Sequence, residues 1–160
     1  MPTILIVYHS QSGNTRAMAE TVAKGVEEEG GVDVALKKAS EATVDDLLEP
    51  DGIILGSPVY YGTMAACLKQ LLDDSVCYHG QLAGKVGAAF ASSANVGGGN
   101  ETTVLDLLKA LLIHGMIVQG DHQGDHYGPV SIGSPDGRAR EECRRLGLRT
   151  ARLVKRLCAA

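Results

Sequence analysis

The chain has 160 residues, 44% hydrophobic and 21% charged, with a formal net charge of −4. That length makes one domain, residues 1–160, with a full core. The negative balance argues against nucleic acid and anionic lipid as partners. No apolar run nears the roughly 18 residues of a membrane span, so no membrane insertion is expected.

Residues 3–8, from Thr3 to Tyr8, form a continuous apolar run, the pattern of a central parallel strand covered on both faces. No basic segment precedes it, so no secretory leader is expected. Met18, Ala19, Val22, Ala23 and Val26 recur at helical spacing over residues 16–29, and Gly30-Gly31 stops that helix. Residues 32–36 alternate weakly as a short second strand, and 43–48 suit one or two helical turns before the Pro50-Asp51-Gly52 turn. The third strand is 52–57. A helix with Met64, Cys67, Leu68, Leu71 and Leu72 on one face follows. The fourth strand is 85–91, and Asn100 is a plausible cap for a helix carrying Val104, Leu107, Leu108, Leu111 and Leu112. His114-Gly115 closes it, residues 116–119 are the fifth strand, 120–133 are irregular, and 134–157 contain a last helix. Strand and helix alternate five times without repeats or linkers. The predicted fold class is α/β, a doubly wound five-stranded parallel sheet with helices on both faces.

In such sheets ligands bind beyond the carboxyl ends of the strands, so the loops after strands one, three and four matter most. Loop one, Ser10-Gln11-Ser12-Gly13-Asn14-Thr15, runs into a helix N-terminus. Unpaired N–H groups there, with three hydroxyls, suit an oxyanion; equally, hydroxyls at a helix start are common caps. There is no Gly-Lys-Ser/Thr, no GxGxxG and no acidic pair after the strand, so triphosphate, dinucleotide and phospho-acceptor loops are excluded. A phosphate monoester held without metal is the remaining ligand. Loop two, Pro58-Val59-Tyr60-Tyr61-Gly62, offers aromatic surface for a planar ring or simply surface packing. Loop three, Ser93-Ala94-Asn95-Val96-Gly97-Gly98-Gly99, lets backbone lie against a ring, or is a mobile tip. His114 suits the C-terminal dipole of its helix. His122 and His126 are four apart but sit in no helical pattern and have no third ligand, so no metal is expected. Cys67, Cys77, Cys143 and Cys158 form no CxxC and read as reduced thiols of a cytoplasmic protein. The arginines from 138 to 156, interspersed with Glu141 and Glu142, read as a solvated helix face.

Ser10 to Thr15 resembles the FMN phosphate loop of flavodoxins. Gly56-Ser57-Pro58 with Tyr61-Gly62, Ser92-Ser93 through Gly97-Gly98-Gly99-Asn100-Glu101-Thr102-Thr103, the spacing to His114-Gly115-Met116, and Tyr127-Gly128 with Ile132-Gly133 resemble the WrbA-type NAD(P)H:quinone oxidoreductases over nearly the whole chain. The resemblance implies a flavodoxin-like domain with FMN as cofactor and NADH or NADPH as co-substrate. It assigns loop one to the FMN phosphate, loop two to the isoalloxazine border and loop three to main-chain contacts with the ring's polar edge. His114 takes the place of a catalytic histidine near the flavin that often reaches a neighbouring subunit. Tyr78 falls near a substrate-pocket aromatic, and Tyr127 is placed in that pocket too. The segments between strands two and three and before Tyr127 are shorter than in that family. The expected activity is two-electron transfer from NAD(P)H to a quinone or similar small acceptor by a homodimer or homotetramer. The alternative is a flavodoxin-type carrier without NAD(P)H turnover.

Overall fold

Strand β1, Thr3–Tyr8, is buried along almost its whole length, and alternation of its side chains feeds two cores. Ile4, Ile6 and Tyr8 face one layer with Ile54, Val86, Ala88 and Phe90. Leu5 and Val7 face the other with Ile53, Leu55, Ala89 and Ala91. The computed structural model describes residues 1–159. Its elements are β1, α1 (Asn14–Glu29), β2 (Asp33–Lys38), β3 (Gly52–Pro58), α2 (Ala66–Asp74), β4 (Val86–Ser93), α3 (Asn100–Ile113), β5 (Ile117–Val118), β6 (Val130–Ile132) and α4 (Gly137–Cys158), with short 3-10 turns at Val44–Leu47 and Ser75–Tyr78. All strand pairs are parallel, in the order β2-β1-β3-β4-β5. Helices α1 and α4 supply the first core layer, and α2 and α3 the second.

The fifth strand position differs from the expected single run. Two segments fill it: β5 pairs with Val86 and Gly87, and β6 pairs with Ala91, Ser92 and Ser93. Residues 119–129 leave the sheet between them. Three residues bounded by Pro129 and Gly133 carry too little periodicity to declare a strand, and neighbouring β4 is what defines β6. Helix α3 is capped by Gly99 in the left-handed region rather than by Asn100, which is already helical.

Helices α1 and α4 approach through glycine. A Cβ on Gly25 would sit 2.1 Å from the Arg144 carbonyl oxygen, and one on Gly147 would sit 2.1 Å from that of Val22. Across this contact Arg144 clamps Glu28 at 2.6 and 2.8 Å, and Arg152 reaches Glu29 at 2.7 Å.

Candidate functional site

Parallel pairing sends the loops after β1, β3 and β4 to one sheet edge, on three adjacent strands. The chain reverses its winding direction between β1 and β3, the place where sheets of this kind bind ligands. Loop one turns on Gly13, which caps α1 with φ 95°. The Ser10 hydroxyl oxygen accepts from the N–H groups of Gly13 (3.1 Å) and Arg16 (3.3 Å), fixing the curl of the loop. The backbone N–H groups of Gln11, Ser12, Asn14 and Thr15 have no protein partner among the described residues. No acidic residue lies in the first turn of α1, and Arg16 is held by Glu20 at 2.8 Å. The loop is therefore a ring of unpaired donors whose positive field comes from backbone rather than from a lysine.

Thr15 departs from the expected arrangement. It is buried, and its hydroxyl shares a 2.9 Å hydrogen bond with Ser92 on β4. It ties loop one to the sheet, while Ser12 is exposed. Two variants separate these roles. Thr15→Val leaves the Ser92 hydroxyl buried and unpaired, and lowers stability by about 1–2 kcal/mol. Ser12→Ala leaves stability within about 0.5 kcal/mol and weakens FMN binding. Urea denaturation and an FMN titration of both variants check this.

Loop two is a tight reversal. Tyr60 and Thr63 exchange backbone hydrogen bonds at 2.9 and 3.3 Å, and Tyr61, with φ 48°, and Gly62 form the tip. Tyr61 is fully exposed. The Tyr60 hydroxyl donates to Gln11 Oε1 at 3.1 Å, and the His9 ring stands edge-on to Tyr60 at 5.8 Å, so loops one and two meet. Thr63 donates to Asp106 of α3 at 2.8 Å. Hydrogen bonds from Lys109 and then Thr63 hold the Asp106 carboxyl below its usual range. Loop three is anchored by Ser93, which donates to the Asn95 carbonyl at 3.0 Å and accepts from Asn100 Nδ2 at 3.1 Å. The N–H groups of Ala94, Asn95, Val96, Gly97 and Gly99 have no protein partner among the described residues. A Cβ on Gly99 would lie 3.3 Å from Gly62 Cα, so loops two and three also touch. His9, Thr63 and Asp106 were not singled out from the sequence: Thr63 and Asp106 meet across 43 positions, and nothing local signals it.

Tyr127 follows β5 in the excursion 119–129 and lies against Asn100 and Glu101 in a cavity of about 240 Å³, beside loop three. His126 is hydrogen-bonded through Nδ1 to the Asp121 carbonyl, and His122 is exposed.

His114 and Tyr78 lie elsewhere. Helix α3 begins at the loop edge and, over 14 residues, carries His114 about 21 Å toward the opposite end of the sheet. There the His114 Nε2 sits 2.7 Å from the Ser75 hydroxyl, which itself donates to the Leu72 carbonyl. With the Ser75 hydrogen on the Leu72 carbonyl, the ring donates from Nε2, and Nδ1 is buried with no partner among the described residues. Tyr78, in the 3-10 turn after α2, donates to Asp45 at the same far end. Within one chain, neither expected residue reaches the three-loop site, because the helices they follow run antiparallel to the strands. Burial, and after it the neighbouring His79, holds His114 below the ordinary imidazole range. A depressed folded-state pKa means the unfolded chain binds the proton more readily. Stability from this group is complete above the unfolded value near 6.5 and falls as pH drops below it. His114→Gln flattens that slope on the acid side of about pH 6.5, as followed by urea denaturation at each pH.

The family model for NADPH-dependent FMN reductase matches residues 35–124, more than half of the chain. The chain belongs to that family. It is 40% identical to a flavodoxin of Aquifex aeolicus, over 96% of this chain and 88% of that protein. It is 33% identical to a protein of Archaeoglobus fulgidus named NAD(P)H dehydrogenase (quinone), over 99% of this chain and all of that one. The latter alignment runs over 192 positions against 160 residues here, so that relative carries segments absent from this chain. The fold matches the crystal structure of a flavodoxin, WrbA-like protein from Agrobacterium tumefaciens with TM-score 0.81 and 26% identity, over 98% of this chain and 99% of that one. FMN is the cofactor these families imply. The residues present fit it: a ring of unpaired N–H donors for a phosphate, an aromatic hairpin, and a second run of unpaired N–H groups.

Proposed function

We propose that this protein is an FMN-dependent oxidoreductase that moves two electrons from NADH or NADPH to a quinone or similar small acceptor. The observation that carries this reading is the convergence of the three loops at one edge, held together by Tyr60–Gln11, Thr15–Ser92 and the Gly99–Gly62 contact. Ser10, Gln11, Ser12, Gly13, Asn14 and Thr15 form the phosphate end. Pro58, Val59, Tyr60, Tyr61 and Gly62 border the ring and limit water, and Ser93 to Gly99 aim N–H groups at its polar edge. Bound flavin supplies the redox chemistry; the chain binds, orients and shields it. Tyr127 borders the approach for the acceptor.

Anaerobic mixing of FMN-loaded protein with NADH and with NADPH tests this. The visible flavin absorption bleaches with at least one of them and returns on addition of a quinone. Protein that stays oxidised with both, yet is reduced by a separate reductase, is an electron carrier. That second reading is favoured by the 40% identity to a flavodoxin.

A role for His114 or Tyr78 at a flavin requires a second copy of the chain, since both lie at the far end of their own sheet. Ile113 and Val76 are exposed there, beside His114, and suit the seam of a homodimer or homotetramer. A chain that stays monomeric by light scattering removes both residues from the reaction. The cytoplasm, where nicotinamides and reduced thiols prevail, is the compartment this reading requires.

A further inference from the structure

A cavity lies away from the three loops, between the excursion 119–123 and α4. It measures about 540 Å³ and adjoins a second of about 260 Å³, and Gln119, Arg149 and Arg152 line both. Asp121 sits beneath, its side chain only 4% exposed. Arg145 takes that carboxylate with its Nε and Nη2 edge, at 2.7 to 3.2 Å. Arg149, its side chain 12% exposed, reaches Asp121 only through Nη1 at 3.2 Å.

The other edge of Arg149 is the unusual feature. Its Nε and Nη2 are buried and have no hydrogen-bond partner among the described residues. Those two donors lie side by side, the arrangement that grips two oxygens of a carboxylate or phosphate at once. Buried guanidinium donors are seldom left unpaired. The charge around them is also unbalanced. Arg145 and Arg149 share Asp121, Arg152 and Lys155 share Glu29, and Arg156 makes no ion pair among the described residues. Four cations thus share two carboxylates and a fifth has none, in a chain whose net charge is −4. Arg144, at the other end of the groove, is taken by Glu28 and Glu141.

We infer that this groove is a binding site for a phosphorylated small molecule, gripped by the free edge of Arg149. The surplus of positive charge favours a phosphate dianion over a carboxylate, and the cavity has room for more than a bare ion. Gln119 and Arg152 line both cavities with Arg149 and are exposed, and binding at the buried edge requires them to turn aside. The site is separate from the flavin loops and does not depend on the activity proposed above.

FMN-loaded protein, with its own phosphate loop filled, is titrated with inorganic phosphate and with ribose 5-phosphate. Calorimetry gives the affinity, and the Arg149 Nε–H resonance reports the contact. Saturable binding that shifts this resonance is expected with both ligands, tighter for ribose 5-phosphate, whose sugar occupies the groove. Arg149→Lys keeps the charge but loses the paired donors, and weakens binding about tenfold or more. Arg156→Gln, on the exposed rim, weakens it about two- to fivefold and keeps the test open should the Arg149 variant fold poorly. FMN affinity stays unchanged in both. Absence of a saturable shift, or equal affinity in Arg149→Lys, overturns the proposal.

Discussion

Gly147→Ala destabilises this protein by about 2–3 kcal/mol, and Gly25→Ala does the same. The sign is the informative part. In a loosely packed helix, alanine in place of glycine stabilises by about 1 kcal/mol through backbone entropy and helix propensity. Here the added methyl on Gly147 meets the Val22 carbonyl oxygen at 2.1 Å and the Val26 nitrogen at 2.8 Å. Those atoms belong to the hydrogen-bonded backbone of α1 and cannot turn aside as a flexible side chain would. The helices must separate instead, which also strains the Arg144–Glu28 and Arg152–Glu29 pairs at their surface. For a chain of this size the melting temperature falls by about 4–12 °C. Gly137→Ala is the control: it is also helical, its Cβ position is open, and its melting temperature holds or rises. Thermal unfolding of the three variants settles the matter. A stabilised Gly147→Ala would mean that the two helices do not meet at this glycine pair.

Gly99→Val weakens FMN binding by about 30-fold, or about 2 kcal/mol, with little loss of stability. Gly99 has φ 102°, a region that β-branched residues avoid. A Cβ there also presses on Gly62 Cα at 3.3 Å. Loop three is exposed through residues 94–97 and can relax when empty. The strain is therefore felt when the loop must close against the hairpin, and it appears in affinity rather than in the unfolding curve. Gly97→Ala, at φ 69° with open space around its Cβ, costs only a few-fold. Titration of the flavin-free protein with FMN, followed by flavin fluorescence, compares the two. Equal affinity in Gly99→Val and the parent chain would remove loop three from the flavin site.

The layout of the site was legible because its signals are local. Ser10 to Thr15 lies between an apolar strand and an amphipathic helix, and Tyr60 and Tyr61 follow a second such strand. Once all strands are parallel, the loops after β1, β3 and β4 must share an edge. His114 shows where this reasoning stops. Its distance in sequence from the glycine loop matches a pattern, but sequence distance along a helix is also physical distance, and α3 takes His114 to the other end of the sheet. Tyr78 fails for the same reason at the end of α2. Thr15 sits in loop one with its hydroxyl turned inward, because the partner that turns it is Ser92, 77 residues away.

By itself the sequence determined the α/β alternation, the two-sided cores and the loop composition, since each depends on periodicity or turn chemistry within some fifteen residues. Tertiary structure alone decided the split fifth strand, the glycine-to-glycine crossing of α1 and α4, and the far-end placement of His114. It also decided that Arg149, one of many arginines on a helix face that reads as solvated, has a buried donor edge left unpaired. Burial and hydrogen-bond pairing belong to the neighbours a residue meets across the fold, and α4 meets Asp121 and Gln119 only because the chain leaves the sheet at Val118 and returns at Val130.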